Sequence, residues 1–301
     1  MASKVGVSLS DYTHIGDMLE KALNSYGFNL KGKRKVIIKV NLSEFRTPET
    51  GVITHPLFLD ALLKYLRKFY DLDSIYVVES DSVVGLPDFF IRWFGFIPIL
   101  QKWGAEYINL SKCGSVLRDI EGLHLKKIRV PEVFLDDAYF ISLSKLKTSS
   151  ITRMSCALKN QFGCIPIRWK SKYHPWINEV IADANLVFRP DFSIVDGIIG
   201  VGGVQGPSFG VPINARIFVY GEDPVAVDSV CAKIIGFNPS EIAYIKKSEK
   251  LGVGTTKYEL VGESIKKIRR KFEFNRIEHL LLKIGFHLQQ AYSRRYSRDS
   301  L

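Results

Sequence analysis

Lys159 and Asn160 lie in a run of small and apolar residues, "MSCALKNQFG" (Met154–Gly163), and His174 follows a short way downstream. Lysine is among the side chains least often buried. An ammonium in such surroundings loses hydration, which lowers its pKa unless a carboxylate pairs with it. Two uses follow: a structural ion pair, or a lysine poised as acid, base or anion clamp. Asn160 can orient a ligand carbonyl or the backbone. His174 titrates near neutrality and suits proton transfer. The plainer alternatives are a buried pair for Lys159 and a helix-entry position for His174, directly before Pro175.

Other candidates gather at the ends of inferred strands. Asn41 closes one, Glu79-Ser80-Asp81 a second and Asp196 a fourth. The third ends near Lys145 and Lys147, which are two apart and so share a face that suits a phosphate or carboxylate. Asp196 leads into "GIIGVGGVQGPSFG" (Gly197–Gly210), where glycines such as Gly206 allow close backbone approach to an anion. Its spacing is neither the Walker nor the dinucleotide-binding pattern. Glu79, Asp81 and Asp196 together offer the hard oxygen ligands that a divalent metal would take. Asp223 reads first as a helix cap. In parallel α/β sheets, ligands bind outside the carboxyl ends of the strands. Polar groups delivered to four such ends predict one shared crevice, with Lys159 and His174 catalytic and Asn41, Lys145, Lys147, Asn160 and Gly206 holding substrate. Glu79, Asp81 and Asp196 would orient them or hold a metal.

The elements that must position these groups alternate. "KVIIKVNL" (Lys35–Leu42), "SIYVVES" (Ser74–Ser80), "DAYFISLSKL" (Asp137–Leu146), "DFSIVDGII" (Asp191–Ile199) and "NARIFVYG" (Asn214–Gly221) read as strands. His55–Tyr70, Pro175–Phe188, Asp223–Gly236 and Pro239–Gly252 read as helices, the first and third opened by proline in the first turn. The pattern predicts an α/β fold: layered, mostly parallel sheet flanked by helices, in one lobe or two. The body spans 1–262, with any lobe boundary between 130 and 190. Residues 263–301 form a basic tail, where Ile265, Ile268, Phe272, Ile277, Leu281, Ile284 and Leu288 fall near one face of an amphipathic helix over Ser264–Tyr292. That face packs on the body, or it meets an anionic membrane or a nucleic acid.

Composition limits the classes. Net charge is +11 over 301 residues. The tail holds ten Lys/Arg against four Asp/Glu, or +6, leaving the body +5. The cysteines, Cys113, Cys156, Cys164 and Cys231, form no C-x-x-C pair, so neither a zinc ribbon nor an iron–sulfur cluster is expected. The N-terminus lacks the apolar core of a signal peptide, which favours a cytoplasmic protein with reduced thiols. The longest apolar block, Phe89–Leu100, is too short to span a bilayer, and the aromatic stretch Asp88–Phe96 reads as core or as a lid over the crevice.

Together "KVNL", "THP", "VVESDS", "SLSKLKT", "MSCALKNQFG", "RPDFSIVDGIIGVGGVQGP" and "GEDPVAVDSVCAKIIG" resemble the family called domain of unknown function 362, over about Lys35 to Gly262. The resemblance implies one α/β unit, often joined to a ferredoxin module that this chain lacks. It carries over as recurrent polar residues Lys39, Asn41, Glu79, Lys147, Lys159, Asn160, His174, Asp191, Asp196 and Asp228. Relatives tend to carry His directly after Lys-Thr, where Ser149 stands here. A fainter similarity links the chain to the lactate racemase family that uses a nickel-pincer nucleotide. It implies Lys/His proton chemistry without implying nickel. The expectation is an enzyme of lyase, isomerase or redox-associated type that acts on a small anionic metabolite. The alternatives are a binding protein that engages RNA or an anionic membrane through its tail, and an electron-transfer accessory. The oligomeric state and any cofactor stay open.

Overall fold

The computed structural model describes residues 2–203 and 210–270, together with 272, 280, 281, 284, 285 and 288. Eleven strands are described. They are β1 (Ser3–Leu9), β2 (Lys35–Lys39), β3 (Ser74–Glu79), β4 (Glu106–Asn109), β5 (Ser115–Asp119), β6 (Lys127–Pro131), β7 (Tyr139–Ser149), β8 (Arg153–Ser155), β9 (Phe192–Gly202), β10 (Val211–Gly221) and β11 (Tyr258–Gly262). The helices are α1 (Ile15–Tyr26), α2 (Pro56–Phe69), α3 (Pro87–Trp93), α4 (Phe96–Trp103), α5 (Ala157–Asn160), α6 (Ile177–Val187), α7 (Pro224–Ile235), α8 (Ala243–Lys250) and α9 (Ile265–Ile268).

Nine strands make one sheet in the order β11-β1-β10-β9-β7-β2-β3-β4, with the short β8 pairing β7, and β5 and β6 form a separate hairpin. The central run β9-β7-β2-β3-β4 is parallel throughout. β10 is antiparallel to both its neighbours. The fold is therefore layered α/β with a mostly parallel sheet.

Alternation along each strand sends side chains to two cores. Val36 and Ile38 of β2 face one core, built with α1, α2 and α4, which includes Leu19, Leu62 and Leu100. Ile37 between them faces the other side, where α6 packs Val180 and Ala184. Farther along that side, α5, α7 and α8 cover Leu146, Val195 and Val219.

The chain reverses its direction of winding at β2 and β7. From β2 it crosses through α2 to β3, toward the β4 edge. From β7 it crosses through α5 and α6 to β9, toward the opposite edge. Crossovers that part on opposite faces leave a crevice above the carboxyl ends of the two central strands, where ligands collect in such sheets.

The expected strands and helices appear with ends shifted by a few residues. β1 lies outside the expected set, because Gly6 and two serines dilute the apolar signal of "SKVGVSL". Gly6 is there because a Cβ would fall 2.1 Å from the Tyr220 ring on β10. The apolar block Phe89–Leu100 becomes parts of α3 and α4, which bury Phe90, Ile91, Phe96 and Leu100. Among the described residues no helix is long and apolar enough to cross a membrane.

The helix expected over Ser264–Tyr292 falls mostly outside the described residues. What is described shows α9 and Phe272 packed on the core of α7 and α8, with Ile268 and Phe272 buried. Leu280, Leu281, Ile284 and Leu288 are exposed.

Candidate functional site

A cavity of about 460 Å³ opens at the crevice between β2, β3 and β7. It gathers Asn41, Glu79, Lys147, Lys159, Asn160 and His174 from the expected set. Three lysines give it its character. Lys147 Nζ donates to Asn41 Oδ1 at 2.7 Å and to the Val52 carbonyl at 2.8 Å. Lys159 Nζ donates to the hydroxyls of Ser149, at 2.9 Å, and Thr152, at 3.1 Å. Lys170 Nζ donates to Ser80 Oγ at 2.7 Å and to the Asp81 carbonyl at 2.6 Å.

Every one of these acceptors is neutral. Among the described residues no carboxylate sits within ion-pair distance of the three ammoniums, as it does for Lys39 and Lys145. Burial therefore goes uncompensated and favours the neutral amine. It pushes Lys147 down to about 7, against the opposing charge of Glu44 and with help from Lys159 and Lys145. It pushes Lys159 and Lys170 each down to about 8. His174 also lies below its ordinary value, first through burial and then through the charge of Lys159. It is neutral at pH 7.

The cavity's floor is a different construction. Lys39 and Glu79 form a buried ion pair at 2.7 Å. Glu79 also accepts the backbone N–H groups of Leu42 and Ser80, each at 2.9 Å, which ties the tips of β2 and β3 together. Asn160 joins those strands to β7 by donating to the Lys39 carbonyl and to Ser142 Oγ. Its Oδ1 accepts from Asn41 Nδ2 at 3.1 Å, which turns Asn41 Oδ1 toward Lys147.

The run "ALKNQFG" thus has a local logic. α5 is one turn long, and the Asp228 carboxylate caps it by accepting the Ala157 N–H at 2.7 Å. Lys159 and Asn160 then leave from one short turn, the first toward the cavity and the second beneath it. Gly163 closes the segment against the Lys39–Glu79 pair. A Cβ there would fall 2.7 Å from Lys39 Nζ and 2.8 Å from Glu79 Oε1.

Three expected members stand elsewhere. Lys145 and Asp196 form a closed ion pair at 2.8 Å, both side chains fully buried, with the Tyr12 hydroxyl bridging them. Neither lines the cavity. Register explains this: Asp196 lies directly opposite Lys145 on β9, whereas Val201 lies opposite Lys147. The neighbouring carboxylate captures the first lysine, and the second has none to take it. Asp81 turns its carboxylate to Asn109 and offers only its carbonyl to Lys170.

Glu79, Asp81 and Asp196 are therefore not brought together as the expected metal set, each being engaged by a different partner. Among the described residues no group of three or more His, Cys, Asp or Glu side chains could hold a metal ion. Gly206 lies outside the described residues. Of the other recurrent polar residues, Asp191 accepts the Phe140 N–H and Asp228 caps α5. Asp223 caps α7 through the N–H groups of Val225 and Ala226, as expected of it.

Sequence reasoning missed Lys170 and Arg168. Both stand in "IRWKSKYH", a basic stretch between Lys159 and His174 that reads as a solvated loop, and only the fold turns Lys170 inward. It also missed Ser149 as a lysine partner. The residue that departs from the family pattern accepts the Lys159 hydrogen bond.

The cavity presents five cationic side chains, Lys39, Lys147, Lys159, Lys170 and Arg168, against two carboxylates, Glu44 and Glu79. With the lysines protonated, the lining carries an excess of three positive charges. Fold and cavity together define a doubly wound α/β protein with a ligand crevice at the reversal of its sheet.

Residues 36–233 match the family described as Domain of unknown function (DUF362), and the chain belongs to that family. It is 25% identical over 249 residues to the thylakoid-associated protein sll1697 of Synechocystis sp. (strain ATCC 27184 / PCC 6803 / Kazusa), covering 80% of this chain and 75% of that protein. Among solved structures it is similar to the lactate racemase apoprotein from Thermoanaerobacterium thermosaccharolyticum, with a TM-score of 0.45 and 12% identity. That match covers 83% of this chain, and the chain spans 57% of that structure's length.

Proposed function

We propose that this protein is an enzyme that holds a small metabolite by its phosphate or carboxylate group in the cavity and moves a proton there with Lys159 and His174. One observation carries this: the ammoniums of the buried Lys147 and Lys170 and of the half-buried Lys159 converge on one hollow and donate only to neutral acceptors. Structural lysines are normally matched by a carboxylate. Leaving three unmatched is costly, and an anionic ligand would supply the missing charge.

Their pKa values near neutrality suit acid–base work. Lys159, near 8, is mostly protonated at pH 7 and can give a proton. His174, held neutral, can take one. Glu79 and Asn160 act at one remove by fixing the strand tips and Asn41.

The test is thermal unfolding with a panel of phosphate monoesters and short carboxylates at pH 6.5 and pH 9.5. Anions should stabilise the protein at the lower pH and lose most of that effect at the higher, where the lysines are neutral. Lys159→Met should abolish the shift. His174→Ala should keep binding and lose turnover. An anion shift that survives in both Lys147→Met and Lys159→Met would defeat this proposal.

A second reading concerns the tail. The exposed Leu280, Leu281, Ile284 and Leu288 are aliphatic, which suits a lipid surface better than RNA. The Synechocystis relative is described as thylakoid-associated. On this reading residues 264–301 reach an anionic membrane. Truncation after Phe272, which spares the packed part, should then weaken salt-sensitive binding to anionic vesicles. Equal binding after truncation would exclude it.

A further inference from the structure

The cavity's floor is charged, and its mouth adds apolar side chains. Val83 and Val84 line the opening, and both are exposed to solvent. Phe45, beside the lining residue Glu44, is exposed and packs its ring 5.6 Å from Phe90 and 5.5 Å from Phe94. Those rings belong to the α3 segment that follows Val84. Phe89 and Trp93 stand one helical turn apart on the open side of α3, Trp93 being 72% exposed. Across the opening, Trp169 is 63% exposed beside the lining residue Arg168, whose guanidinium lies over its ring.

Among the described residues five Phe and Trp side chains are strongly exposed: Phe45, Phe69, Phe89, Trp93 and Trp169. Phe45 adjoins the lining residue Glu44 and Trp169 adjoins the lining residue Arg168, while Phe89 and Trp93 stand on α3, whose Phe90 packs its ring against Phe45. Scattered apolar residues on a surface need no cause, but a concentration of aromatics around one opening does. Arg168 lines the cavity and Arg92 lies next to Trp93 on α3; both are exposed, and neither has a carboxylate within ion-pair distance among the described residues.

Exposed Phe and Trp rings set beside guanidiniums that no carboxylate pairs match the boundary between anionic lipid headgroups and acyl chains. A soluble metabolite would need no such collar.

We infer that the cavity takes the anionic head of an amphiphile, a phosphate or carboxylate carrying an apolar chain, from an anionic lipid surface on which the rim docks. This rests on the anion-binding reading of the cavity and adds the class of substrate and the place it comes from. The lysines hold the head group. Phe162 and Ile151 on the cavity wall, then Val83 and Val84, lead the chain outward to the rim.

The experiment has two arms with the full-length protein. In the first, binding of methyl phosphate and octyl phosphate is compared by calorimetry. Each methylene buried is worth up to ~fourfold in affinity, so octyl phosphate should bind more than ~tenfold tighter even if only part of its chain is covered. In the second, the protein is sedimented with phosphatidylcholine vesicles, with and without phosphatidylglycerol. Wild type should bind the anionic vesicles only, and Trp93→Ser/Trp169→Ser should lose at least ~tenfold in that affinity. The double variant should keep its methyl phosphate binding, which shows that it is folded and that the cavity is intact.

If methyl phosphate binds but the octyl chain adds nothing, or vesicle binding is absent or survives in the double variant, the amphiphile inference is overturned while the anion cavity stands. If neither phosphate binds, the cavity reading fails and takes this inference with it.

Discussion

Lys145 and Lys147 are two residues apart on β7 and share a face, yet they are opposite solutions to the burial of an ammonium. Lys145 is closed: Asp196 meets it at 2.8 Å, Tyr12 bridges the pair and solvent is shut out. Lys147 is equally buried but meets only an amide, a carbonyl and, at 3.5 Å, the Ser43 hydroxyl, and its pKa falls to about 7. The closed lysine holds β7 to β9 across the sheet. The open one stores a cost that a ligand can relieve. On the proposed reading, charge in this fold is structural where the sheet continues and functional where the strands end.

The sharpest break of that contrast is to remove each lysine in turn. Lys145→Met leaves Asp196 buried without a counter-charge and should cost ~3–5 kcal/mol of stability. Lys147→Met removes a charge that nothing balances and should raise stability by ~1–4 kcal/mol while abolishing anion binding. Denaturant unfolding reads both, and Lys145→Met/Asp196→Leu should recover most of the loss. Equal destabilisation by the two single variants would mean that Lys147 is held as firmly as Lys145 and that the division is false.

A smaller effect follows in pH. For Lys147 the folded pKa, about 7, lies below the unfolded value of about 10.5. Between these the unfolded chain binds more protons, so stability without ligand rises with pH through this window. Lys159 and Lys170 act in the same direction from about 8 upward. Anion affinity moves the other way, since it needs the protonated amines. Asp228 opposes the stability trend only lower down: burial raises it to about 7, so its contribution falls as pH rises from its ordinary range toward 7. In Lys147→Met the rise between pH 7 and 9 should flatten. An unchanged slope would show that the lysine was never strained.

Much of this was legible in the chain. The alternation of apolar strands and amphipathic helices gave the layered α/β fold, and the polar strand ends located the crevice. Six of the ten candidate site residues line it, because a strand's end is where its polar residues can face a ligand. What was not legible is pairing. Nothing in "SLSKLKT" tells Lys145 from Lys147, since the difference is which residue of β9 stands opposite. Likewise Lys170 looks like one more cation in a basic loop until the turn before α6 folds it under Ser80. β1 escaped because Gly6 and two serines dilute its apolar signal, and its partner β10 is some two hundred residues away.

The smallest expected effect lies between the two extremes, at the Lys39–Glu79 pair. It is as buried as Lys145–Asp196 but stands on the cavity floor. Gly163 leaves it room, and Gly163→Ala would put a methyl carbon 2.7 Å from Lys39 Nζ. The intruded atoms are the ends of flexible side chains, so the cost should be ~1 kcal/mol, the low end for overpacking. The functional cost should be larger, because Glu79 also accepts the N–H groups that set the β2 and β3 tips. Anion affinity should therefore drop by ~tenfold or more while the thermal midpoint barely moves, since a small displacement of positioning groups is felt strongly by a bound ligand. If stability falls steeply and anion affinity does not, the pair belongs with Lys145 as a clamp of the sheet. If affinity falls alone, the boundary between structural and functional charge runs below Glu79, and the pair is part of the site it supports.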